Sequence, residues 1–163
     1  MDFDVTSISA IVAAAGVIVG VMLTLLELRH LGRQRQTDLI MNLHSQTCTK
    51  EFVEAYKKVL SLEFKEYDDF EKKYGPLNAE GPEQIAIMMC ANFMEGIGVL
   101  LHRRLVDIEP LRELFPIEAG WRKLGPILIH SRKKSGNPET WQWFEYLYNE
   151  AKKREQTLQQ SKA

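Results

Sequence analysis

"SAIVAAAGVIVGVMLTLLELRHLGRQRQ", residues 9–36, is the most uneven stretch of the chain, passing from unbroken apolar residues to a cluster of arginines. Its apolar part belongs to a run of 22 residues without a formal charge, Val5 to Leu26. As a helix at about 1.5 Å per residue this run reaches roughly 33 Å, the thickness of a bilayer's hydrocarbon core. A cleavable signal would begin with basic residues and end its shorter apolar run on a small-x-small site. Here the start carries Asp2 and Asp4, and "AAAG" falls in mid-run with more apolar residues after it. A buried helix of a soluble protein is the remaining alternative, but a run this long with no polar face and with Gly16 and Gly20 inside it suits lipid better. A retained transmembrane helix over 5–26 is therefore expected.

The flanks set an orientation. Arg29, His30, Arg33 and Arg35 follow the span directly, whereas only acids precede it. Positive residues stay on the cytoplasmic side, so residues 1–4 are expected outside the cell membrane, 27–46 to form a basic juxtamembrane helix at anionic headgroups, and 47–163 to be a cytoplasmic domain. This is single-pass, inner-membrane topology with the N-terminus out. Ser9, Ala13, Gly16, Gly20 and Thr24 recur at steps of three or four and so share one helix face. Such a stripe lets two backbones approach, which makes a homo-oligomer through the span an expected partner arrangement beside the lipid bilayer itself.

Length and charge bound the remainder of the chain. The 163 residues leave a body of ordinary domain size once the span is set aside, and the formal net charge of -1 gives that body no concentrated basic face. Nucleic acid is not expected as a partner. Two cysteines, Cys48 and Cys90, lack CxxC spacing and read as free thiols of a reducing compartment.

Beyond the span every long segment has helical periodicity and none alternates as a strand does, so the fold class is all-α, a compact bundle of about five or six helices. "ELRHLGRQRQTDLIMNLHSQ" continues the first helix or begins another, with Gly32 the expected bend or break. Thr49 caps "KEFVEAYKKVLSLE", whose Phe52, Val53, Tyr56, Val59 and Leu60 share a face. "DDFEKKY" stops at Gly75-Pro76, and "PEQIAIMMCANFMEGIGVLLHRRL" has the all-round apolarity of a central helix. Asp107 caps "IEPLRELF", a Pro-Ile-Glu turn leads into "AGWRKLGPILIHSRKK", and Asn137-Pro138 opens the last helix with Trp141, Phe144, Leu147, Tyr148 and Ala151 on one face.

"RQRQTDLIMNLHS", "KEFVEAYKKVLSLEFKEYDDF", "FMEGIGVLLHRRLVDIEPL" and "WFEYLYNE", in that order after one N-terminal span, resemble a prokaryotic family of small membrane-anchored helical proteins, the domain of unknown function 4760. The resemblance covers nearly the whole chain. It implies the architecture and carries over no catalytic or binding residues.

Chemistry is sparse. His30, His44, His102 and His130 are scattered, none in HExxH or at zinc spacing to a cysteine, and Glu27 with His30 supplies only one of the two ExxH pairs a di-iron bundle needs. No metal or cofactor is expected. Neither a phosphate loop nor a GxSxG elbow is present. Glu95, with Asn92 one turn before it, interrupts the apolar run of the central helix. It reads either as a weak candidate for a catalytic acid or base, or as a structural acceptor for Arg122 or Trp121; Gly96 and Gly98 beside it would let a neighbouring helix come close. Neither cysteine has a base near it in sequence, and Trp143 is the aromatic expected at the surface. The reading reached from sequence is a membrane-tethered interaction or scaffold module with an unidentified protein partner, its rivals being an enzyme built on Glu95 and a small oligomeric channel.

Overall fold

A computed structural model describes residues 5–160, with side chains from residue 13 onward. The expectations for residues 1–4 and for the side chain of Ser9 lie outside the described residues. The chain is all-α. Seven helices occur among the described residues, with no strand: α1 (Val5–Thr47), α2 (Lys50–Ser61), α3 (Tyr67–Tyr74), α4 (Pro82–His102), α5 (Ile108–Leu114), α6 (Ile117–Ser135) and α7 (Gln142–Gln160). Packing divides the chain into two units between Leu39 and Ile40.

The first unit is the long part of α1. It is not broken at Gly32, which lies within 43 helical residues. A single glycine lowers helix propensity by only about 1 kcal/mol, too little to end a helix of this length. Every side chain from Ala13 to Arg35 is exposed. That includes Val17, Ile18, Val19, Val21, Met22, Leu23, Leu25, Leu26 and Leu28, each more than half open.

The second unit is a bundle built around α4, which packs chiefly on α7 and α2 and also meets α6. Ile87, Ala91, Met94 and Ile97 of α4 are buried, together with Val59 of α2, Leu124, Ile127 and Leu128 of α6, and Phe144 and Leu147 of α7. Local signals explain most boundaries. Thr49 accepts from the Phe52 N–H and so caps α2, α3 ends at Gly75 with φ of 86°, and Pro82 opens α4. Asp107 stands at the N-cap of α5 without a side-chain capping bond.

Three boundaries and faces differ from the sequence reading. The helix α6 already starts at Ile117, so the preceding turn is Phe115–Pro116. The last helix starts at Gln142 rather than at Pro138. Asn137 Oδ1 instead accepts from the Glu139 N–H, Arg132 Nε donates to the Thr140 carbonyl, and Trp141 takes a left-handed φ of 61°, so a folded turn occupies 137–141. Trp141 is buried nonetheless, from that turn and not from a helix face. On α2 the buried residues are Phe52, Ala55 and Val59, while Val53 and Leu60 are exposed. The inward face is thus turned toward Ala55.

Candidate functional site

Glu95 is where sequence reasoning placed chemistry, and its surroundings define its role. The side chain is half-buried on α4, and Oε2 accepts from the backbone N–H of Phe144 at 2.7 Å. Phe144 lies in the first turn of α7, where amides have no intrahelical acceptor. The carboxylate of one helix therefore caps another, and its negative charge faces the positive end of the α7 dipole. Neither Arg122 nor Trp121 is its partner: Arg122 is exposed, and Trp121 packs edge-on to Phe144 and parallel to Tyr148.

The neighbouring residues separate on the same helix. Asn92 is exposed and does not join Glu95. A Cβ at Gly96 would meet nothing within 4 Å, whereas one at Gly98 would lie 2.0 Å from the Trp143 carbonyl oxygen. Only Gly98 brings α7 close. The backbone of Trp143 crosses directly over it, so Glu95 and Gly98 together hold the start of α7 against α4. Trp143 is half-buried and rests its ring on His102, centroids 4.1 Å apart.

The thiols and imidazoles are dispersed. Cys90 is buried on α4, and that burial pushes its thiol up to about 11, away from nucleophilic use. Cys48 is exposed with its Sγ 4.0 Å from His44 Nδ1, a base four residues earlier that the sequence reading overlooked although the i, i+4 spacing displays it. That is longer than a proton-transfer contact, and among the described residues no carboxylate orients the ring of His44, which tilts against Phe115. His130 stacks on Tyr67 at 3.7 Å. His30 is exposed on α1 among Arg29, Arg33 and Arg35, equally exposed. Among the described residues no group of three or more His, Cys, Asp or Glu is placed to hold a metal ion.

Along α1 the other predicted positions are also open. Ala13, Gly16, Gly20 and Thr24 are exposed, no described atom would lie within 4 Å of a Cβ on either glycine, and the Thr24 hydroxyl donates to the Gly20 carbonyl. The Thr24 hydroxyl is thereby satisfied within its own helix.

The architecture defines a class, an all-α bundle preceded by one long, bare apolar helix. Residues 10–151 match the family described as Domain of unknown function (DUF4760), and the chain belongs to that family. No curated protein and no solved structure matches it.

Proposed function

We propose that this protein is a membrane-tethered interaction module, with α1 as a single-pass anchor and the bundle of α2 to α7 as a cytoplasmic docking body. The observation that carries this reading is the unbroken exposure of the apolar side chains of α1 from Val17 to Leu28, each more than half open. In water so long an apolar surface would associate indiscriminately; in lipid it is matched to its solvent, with every backbone polar group bonded inside the helix. Arg29, Arg33 and Arg35 then sit at the cytoplasmic headgroups and fix the orientation. The second apolar helix, α4, is the core of the body, with Ala86, Ile87, Cys90, Ala91, Met94 and Ile97 buried against its neighbours. The capping role of Glu95 supports an interaction module over an enzyme, because the carboxylate is already engaged.

Cys48 provides the test, being exposed where Cys90 is buried. The protein should stay in the membrane fraction through alkaline extraction. A membrane-impermeant thiol reagent should label Cys48 only after the cells are opened. Release by alkali would falsify the anchor, and labelling of intact cells would reverse the orientation.

A further inference from the structure

Where the end of α1, α2, α4 and the α5–α6 junction converge there is an apolar cavity of about 250 Å³. Phe52, Met94 and Phe115 form its buried floor, and Val53 and Leu114, each 38% exposed, form its open walls. Its shape is fixed by a run of edge-on rings, Phe52 on Phe93 at 4.9 Å and Phe93 on Phe115 at 5.8 Å. A dry cavity of roughly 150 Å³ already admits benzene, so this one has room for a stretch of hydrocarbon.

One charged residue lines it. Lys57 is exposed and forms no salt bridge among the described residues, whereas Lys50 and Lys58 on the same helix are engaged by Glu54 and Glu83. The other polar groups of the lining are the half-buried Tyr56 phenol and Thr47, whose hydroxyl already donates to the His44 carbonyl. The Tyr56 phenol is a neutral O–H donor near neutral pH, as any phenol is, and burial raises it further. An apolar floor with a cation and a phenol in its lining is complementary to one kind of small molecule.

We propose that this cavity binds an anionic single-chain amphiphile, its hydrocarbon seated over Phe52, Met94 and Phe115 and its carboxylate paired with Lys57 and Tyr56. The site lies wholly within the body and does not depend on the tether reading. It gives the docking body a ligand of its own.

The test is photolabelling of the full chain in zwitterionic lipid nanodiscs with dodecanoate bearing a diazirine on its chain, set beside the matching photoreactive dodecanol. Should the chain prove not to be membrane-bound, the same pair is used in buffer, so failure of the anchor leaves this test intact. The carboxylate is expected to label peptides containing Val53 and Leu114, and the alcohol to do so about three- to fivefold less, the range for an ion pair at an exposed lysine. Lys57→Glu, a change at an exposed position, is expected to bring carboxylate labelling down to the level of the alcohol with an unchanged thermal midpoint, and Lys57→Arg to retain it. Leu114→Trp, which fills the wall, is expected to suppress both labels. Equal labelling by acid and alcohol that Lys57→Glu leaves unchanged, or labelling with no enrichment at these peptides, overturns the proposal.

Discussion

At Gly98 a Cβ would lie 2.0 Å from the Trp143 carbonyl oxygen and 2.4 Å from its carbon, both backbone atoms that cannot swing aside. The variant Gly98→Ala must therefore push α7 off α4, and a loss of about 1–3 kcal/mol in chemical denaturation is expected, as for other overpacked cores. Two residues earlier the same substitution has the opposite sign: Gly96 is exposed with open space around it, so Gly96→Ala is expected to gain roughly 0.5–1 kcal/mol from helix propensity alone. Glu95 supplies the second residue-scale test. Because its oxygen caps the Phe144 amide, Glu95→Gln keeps an acceptor and loses only the charge, whereas Glu95→Ala removes both. Denaturation midpoints should rank wild type, then Gln, then Ala, with the last costing ~1 kcal/mol, within the usual range for a lost cap. An Ala variant as stable as wild type would show that the bond does not form in solution.

Among the elements, α2 is short enough for its cap to matter: it has 12 residues, and Thr49 accepts from the Phe52 N–H. Thr49→Ala is expected to lower stability by ~1 kcal/mol, and Thr49→Asp to restore it, read by circular dichroism during urea unfolding. This cap, the stop at Gly75 and the central place of α4 were legible in the sequence because each follows from neighbouring residues or from one helix's own periodicity. The start of α7 was not, since the turn at 137–141 is held by Arg132 reaching from α6 to the Thr140 carbonyl, a contact across the chain. Likewise Asn92 and Glu95 are alike in spacing and differ only in what lies opposite them. The cavity lined by Phe115 was illegible for the same reason, being assembled from four segments of which each alone reads as ordinary core or surface.

For the whole molecule, burial leaves a signature in alkali. It pushes the Cys90 thiol up to about 11 from an ordinary 9.0, and it raises the phenols of Tyr56 and Tyr67. Each group is an acid that folding keeps protonated, so the unfolded chain releases these protons at lower pH than the folded one. The associated stability is present below the ordinary values and is lost as pH climbs through the folded ones. The thermal midpoint is expected to fall above pH 9, and less steeply in Cys90→Ala. The open stripe on α1 permits a separate measurement: if Gly16 and Gly20 line a contact between copies, replacing both with isoleucine should reduce the mass found by light scattering in detergent while leaving insertion intact. An unchanged mass would move any self-association to the body. The cap that Glu95 places on α7 also bears on vectorial synthesis. The ribosome delivers α4 well before α7, so its face for α7 stands bare until the final helix emerges and meets a carboxylate already waiting for its first turn. The nascent body thus closes from its last helix inward, and a ribosome stalled between α6 and α7 would present that uncovered groove to chaperones.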